Sequence, residues 1–514
     1  MFSVLDQIAP AAIARRPRNY YAVPETCPFA ATPGISFEIA LPNETMVLGD
    51  SRVFLIFGAT ASPKDGMTSA QSAFFAQDVA NVRSITFDAA AFSVPGALGF
   101  LPPSLGGWTA DNCFVQAFIN ANPLDPDPMT CVGNLYSVPT RLDWSRLCAD
   151  APTTLTLLAT ETVHATIEPP TSEFLHKMTI TSRLLTAHHG RCIEMMAAIT
   201  LPPQYDPAIA YPTVYTIEGF GGTETYLQRA YAFLESDMGL RWQSGTWPEV
   251  PMLRIVLGSR MTYGHTSFAD SETNGPWATA LITELLPAIE AKYPSHGRYL
   301  MGHSSGGWST LWLQLQYPSV FDGTWSSAPD PVDFTCFQLA NIYEDDNIYW
   351  DSYGRQVPMS RELPWLTAKL ANQIEWVYGR ANGGQWDAFP AIFSPRRSDG
   401  TPAPLFDKVT GDIDRGVAHT WKRFDICRLL QAQPELLSTT LAGKVHVVCG
   451  RDDTYYLDRA CRKLQGLVHA PASEASGNYV RMVPGNHSTI KTQTLFDGFF
   501  AEMVAAHRQQ YGSM

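Results

Sequence analysis

Charge is scarce in this chain of 514 residues, where Asp, Glu, Lys and Arg make up 17% against about a quarter in ordinary soluble domains. The 36 Lys and Arg are outnumbered by 49 Asp and Glu, a net charge of −13, and nowhere do the basic residues gather into a stripe that could follow a phosphate backbone. Nucleic acid is therefore not an expected partner. Long apolar runs are missing too: stretches such as Val53 to Ala59 fall far short of the ~18 residues that cross a bilayer, so no membrane span is expected. The nine cysteines include no CxxC pair and are too thinly spread for a disulfide framework, which leaves buried free thiols in a reducing compartment as the expectation. No HxxxH or Cys/His cluster supports a metal. At the start of the chain Arg15 and Arg16 follow the apolar residues instead of preceding them, unlike a secretory leader. A cytoplasmic protein is expected, or a secreted one if a leader has been removed.

What is present is enough for packed cores. The apolar share is 45%, with 13 Trp, 20 Tyr and 26 Phe, which excludes wholesale disorder. The length suits two domains, one of them large. After an N-terminal extension of residues 1–30, short runs at Ile35 to Leu41, Val53 to Phe57, Ile85 to Phe87, Phe114 to Ile119, Leu155 to Leu158 and Phe174 to Ile180 read as strands without helices between them. Residues 31–188 are expected to form an all-β, antiparallel sandwich.

From about residue 189 to 514 strands alternate with helices. Strand candidates stand at Cys192 to Leu201, Thr213 to Ile217, Leu253 to Leu257, Arg298 to Met301, Thr324 to Ser326, Val445 to Cys449 and Tyr479 to Val483. Helical faces are written by Trp277, Leu281, Leu285 and Ala288, by Trp308, Leu311, Trp312 and Leu315, and by Phe496, Phe499, Phe500 and Met503. Such alternation predicts a mostly parallel sheet with helices on both faces. Residues of about 334 to 440 interrupt it with a Trp-, Pro- and Gly-rich stretch, read as a lid-like insertion in which Gly383 and Gly384 could hinge and Trp386 could wall an apolar pocket.

The chemistry is carried first by Gly302-His303-Ser304-Ser305-Gly306, a Gly-x-Ser-x-Gly motif between a short apolar strand and an amphipathic helix. A sharp turn there would expose the Ser304 hydroxyl, Gly302 and Gly306 would remove colliding side chains, and the Ser305 amide would face a developing oxyanion. His303 is expected to point away and support the turn. A serine hydroxyl needs a base and an acid, in the chain order Ser, acid, His. Asp452 and Asp453 end the strand Val445 to Cys449, and His487 follows the strand Tyr479 to Val483 behind Gly485. Either aspartate could fill the acid role. The loop Glu218-Gly219-Phe220-Gly221-Gly222-Thr223 offers the Phe220 amide as second oxyanion donor. Glu218 must then point elsewhere, and Arg260 is a candidate partner for it.

Here the residues meet a known pattern. Residues of about 190 to 510 resemble an α/β-hydrolase of the esterase D and enterochelin-esterase-like esterase family: Gly219-Phe220-Gly221-Gly222-Thr223-Glu224 is similar to the oxyanion loop of S-formylglutathione hydrolases, and Gly302 to Gly307 to the elbow. Gly450-x-x-Asp453-x-Tyr455-Tyr456-Leu457 resembles the acid loop, which favours Asp453. The block Phe268 to Trp277 resembles esterases that carry an N-terminal sandwich. The resemblance implies a serine hydrolase of carboxylic esters that needs no cofactor and no metal and takes a small-molecule or polymeric ester, with an acyltransferase as the alternative. A binding protein on a hydrolase scaffold is the third reading. A homo-oligomer is compatible with all three.

Overall fold

In the computed structural model the described residues are 35–512, apart from 44, 68–71, 89–97, 101–112, 123–124, 126, 143–152, 166–167, 170–171, 380–383, 472 and 474–475. The expected extension of residues 1–30 lies outside them, as do Arg15, Arg16, Cys27, Cys148 and Gly383. The chain groups into two units, Met1–Ile167 with Leu370–Gly384, and Glu168–Lys369 with Gln385–Met514.

The first unit is β-rich, and its strands form for the reason the sequence announces. Along Ile35–Ala40 every second side chain is buried, so one face can enter a core while the other keeps Ser36 and Glu38 half-exposed. This strand pairs antiparallel with Ser84–Phe87 and parallel with Thr153–Leu158. The parallel pair departs from the expected all-antiparallel arrangement; strands this far apart in sequence are not bound to the antiparallel geometry of a hairpin. A second sheet centres on Ser51–Gly58, flanked antiparallel by Ala73–Val79 and Phe114–Asn120. Phe37, Ile39 and Leu157 of the first sheet share one apolar cluster with Val53, Leu55, Phe57, Phe75 and Val115 of the second. The segment Leu370–Gly384 belongs to this unit and is tied into it by charge: Arg52 is ion-paired to Asp78 at 2.7 Å and donates to the carbonyls of Trp376 at 2.7 Å and Val377 at 3.0 Å. The middle of the supposed lid is thus held by the β-rich unit.

The second unit is built on eight strands: β1 (Leu175–Thr181), β2 (Glu194–Thr200), β3 (Tyr211–Ile217), β4 (Leu253–Gly258), β5 (Ser295–His303), β6 (Gly323–Ser327), β7 (Val445–Gly450) and β8 (Tyr479–Val483). Their order across the sheet is β1-β2-β4-β3-β5-β6-β7-β8. β1/β2 and β2/β4 are antiparallel, and every later neighbour pair is parallel, so the sheet is mixed. β1 corrects the expectation that Phe174 to Ile180 belongs to the sandwich. It turns through the short helix Arg183–His189, capped by the Ser182 hydroxyl and ended by Gly190 at φ 65°, and pairs with the next strand, the nearest available edge.

Alternation along the parallel strands feeds two cores. Tyr215 and Leu300 join a cluster with Trp277, Leu281, Leu285 and Ile289, whereas Val214, Tyr299 and Met301 join one with Trp242, Phe499, Phe500 and Met503. Helices therefore cover both faces. Among the described residues no helix is long and apolar enough to cross a membrane.

Much of the insertion's aromatic content is packing. Phe334, Phe393 and Trp421 pack on one another at 5.0–5.8 Å, and Phe393 lies 5.0 Å from Trp308 of the helix Ser305–Gln316. Trp386 packs against Phe406 at 5.5 Å and Phe337 at 6.1 Å, so it is an interior residue. Of the seven cysteines among the described residues, only Cys192 is exposed.

Candidate active site

Ser304 sits between β5 and the helix Ser305–Gln316 with φ 58° and ψ −126°, a conformation that L-residues rarely adopt and that surrounding contacts must impose. The constraint is visible on both sides. A Cβ on Gly302 would collide with the Gly306 carbonyl, and one on Gly306 with the Ile217 carbonyl, so only glycine lets the chain double back beneath β3. The Ser304 amide donates to the Ser327 carbonyl at 3.0 Å, and the Ser304 carbonyl accepts from Trp308 and Asp330 amides at 3.0 and 3.1 Å. The turn is thereby held by its own helix and by the end of β6.

Asp453 and His487 come together at the ends of β7 and β8. Asp453 is fully buried; its Oδ1 accepts from the amides of Tyr455 and Leu457 at 2.9 and 3.3 Å, and its Oδ2 accepts from His487 Nδ1 at 2.8 Å. A carboxylate can only accept here, so Nδ1 carries the proton and Nε2 is left as the basic nitrogen. Asp452 is exposed on the neighbouring turn. Arg361 from the insertion donates to the Asp453 carbonyl and is ion-paired with Asp458 at 2.7 Å, which fastens the acid loop. His303 does not point away from the site as expected: its ring lies 4.5 Å from that of His487, while Nδ1 meets the Ser327 hydroxyl at 2.9 Å. Burial holds its pKa well below the ordinary imidazole value, helped by the charges of His487 and Lys491. His303 is thus a neutral neighbour for the base.

The loop after β3 lies against the elbow, with the Gly219 Cβ position 3.3 Å from both the Ser304 Cβ and the His303 carbonyl. Phe220 is half-buried with its ring over Gly264. The loop is held from behind: His265 Nε2 donates to the Glu218 carbonyl at 2.9 Å and Nδ1 accepts from the Ser267 amide at 2.9 Å, an arrangement that needs a neutral ring. Burial lowers its pKa to about 4. The Glu218 side chain is drawn off by Arg254, 3.9 Å away on β4, a partner not anticipated from the sequence. Desolvation lowers the Arg254 pKa to about 10 against the opposing pull of Glu218.

One residue of the site was not anticipated. Asp330, in Ser326-Ser-Ala-Pro-Asp-Pro331 beyond β6, is 5% exposed and accepts from Ser304 Oγ at 3.4 Å, Ser305 Oγ at 2.6 Å and Gln385 Nε2 at 3.0 Å. Its signal was legible as a carboxylate at the carboxyl end of a parallel strand, where open α/β sheets carry their sites. It was overshadowed by the better match at Asp453. Among the described residues no group of three His, Cys, Asp or Glu side chains is placed to hold a metal ion.

The strand order, with the antiparallel β2 and the strained serine after β5, defines the second unit as an α/β hydrolase. Residues 193–388 match the family model described as “Putative esterase”, which supports carboxylic ester hydrolysis. The matched range contains Phe220, Ser304, Ser305 and Asp330 but ends before Asp453 and His487. Solved structures similar to this chain include a ferulic acid esterase (13% identity, TM-score 0.40, covering 65% of this chain and 98% of that one). An S-formylglutathione hydrolase from Agrobacterium tumefaciens has 14% identity and a TM-score of 0.35, over 66% of this chain and 95% of that one. Est1E from Butyrivibrio proteoclasticus has 13% identity and a TM-score of 0.32, over 62% and 96%. No curated protein matches the chain by sequence.

Proposed function

We propose that the protein cleaves carboxylic esters through a Ser304-His487-Asp453 triad and an acyl-enzyme. The carrying observation is the 2.8 Å hydrogen bond from His487 Nδ1 to buried Asp453, at the edge of the sheet that also bears the strained Ser304. Ser304 Oγ attacks the acyl carbon as His487 takes its proton, and Asp453 stabilises the imidazolium. The Phe220 and Ser305 amides hold the oxyanion. The C–O bond to the alcohol breaks, His487 hands the proton to the departing oxygen, and water repeats the sequence to free the acid. Phe334, Phe337, Phe389 and Phe393 of the insertion gather with Asp330, which accepts from Ser304, so we assign acyl selection to this insertion.

The base sets the pH dependence. Since His487 must be neutral to accept the proton, kcat/KM for a short p-nitrophenyl ester falls as pH drops and the base becomes protonated. Steady-state rates from pH 5 to 8 at low substrate concentration check this. A flat profile removes histidine as the base.

A further inference from the structure

Asp330 is an odd neighbour for a nucleophile. A carboxylate hydrogen-bonded to Ser304 Oγ opposes the negative charge that develops as the serine attacks, so in a site built only for neutral esters it works against the reaction. Its hydrogen-bond partners, Ser304, Ser305 and Gln385, are neutral, and among the described residues no lysine or arginine is ion-paired with it, although the charge of His487, when protonated, acts on it. Desolvation raises its pKa to about 6, which still leaves it mainly ionised at neutral pH.

The two oxygens are not equally served. Oδ2 accepts from Ser305 and Gln385 at 2.6 and 3.0 Å, while Oδ1 has only the Ser304 hydroxyl at 3.4 Å. Acylation of Ser304 removes that hydroxyl hydrogen. Oδ1 is then a buried anionic acceptor whose donor has gone, a costly state unless the acyl group brings a donor of its own. Asp330 also lines a cleft with the rings of Trp308, Phe334, Phe337, Phe389 and Phe393, whose faces attract cations.

We propose that the acyl group on Ser304 bears a protonated amine close to the carbonyl and beside Asp330, so that the substrates are amino-acid esters and Asp330 is the specificity residue that accepts from the ammonium. The inference rests on the serine-esterase reading. An α-ammonium is two bonds from the acyl carbon, which puts it within one hydrogen bond of the oxygen that Ser304 vacates. The Oγ–acyl bond forms, the alcohol leaves with the proton held by His487, and water then releases the free amino acid and restores the serine hydroxyl. The ammonium keeps its protons throughout.

The test compares L-alanine ethyl ester with ethyl isobutyrate, in which a methyl replaces the ammonium at nearly constant shape. Wild-type protein at pH 7 is expected to favour the alanine ester by at least about tenfold in kcat/KM, and Asp330→Asn to reduce that ratio by at least about tenfold, whatever its effect on absolute rate. Equal or better turnover of isobutyrate by wild type overturns the proposal without any variant. So does an unchanged ratio in Asp330→Asn, or failure to turn over the alanine ester by protein whose Ser304 reacts with a fluorophosphonate. Protein in which Ser304 does not react fails the serine-esterase reading itself, a separate result.

Discussion

Replacing Ser304 by Ala, or His487 by Ala, is expected to lower kcat for a short p-nitrophenyl ester by about 10^4- to 10^6-fold while circular dichroism and thermal unfolding stay close to wild type. The size follows from the triad acting as a unit: without the base the hydroxyl is a weak nucleophile, and without the hydroxyl the base has nothing to activate. The fold tolerates both changes because neither side chain fills a core. Ser304 donates a long hydrogen bond to Asp330, and His487 lies between Asp453, His303 and Tyr455 at the sheet edge. A folded Ser304→Ala protein with normal turnover would remove the serine from the mechanism.

Asp453→Asn should cost on the order of 10^3- to 10^4-fold in kcat, and Asp452→Asn less than about threefold. The amide can donate to His487 Nδ1 and hold the ring in the wrong tautomer, with the proton on the nitrogen that must accept from Ser304. Asp452 is exposed and takes no part in that hydrogen bond. Measured side by side on one substrate, the two variants decide the acid; the reverse ranking would move the role to Asp452.

The parts of this molecule that were legible in the sequence are those written in local periodicity and local sterics. Strands such as β3 were readable because runs such as Thr213 to Ile217 are short, free of charge and rich in β-branched and aromatic residues, and they are buried on both faces as a sheet covered by helices on both sides requires. The elbow was readable because only glycine fits at Gly302 and Gly306. Features decided by pairing between distant segments were not. β1 has the same alternation as the strands before it, and nothing in the residues says which sheet it will join. The Trp-rich insertion resembled a pocket wall, yet Trp421 and Trp386 fill its interior, while Phe389 and Phe393, from the same helix as Trp386, face the cleft. Asp330 and Arg361 escaped for a related reason: each gains its role from a hydrogen bond across the fold, to Ser304 and to the Asp453 loop.

The most direct test of the account is reaction with a fluorophosphonate probe, followed by peptide mapping and residual-activity measurement. A single adduct on Ser304, with esterase activity lost in proportion to labelling, is the predicted result. Full activity in protein whose Ser304 is completely labelled, or an inactivating adduct on another residue, would contradict it.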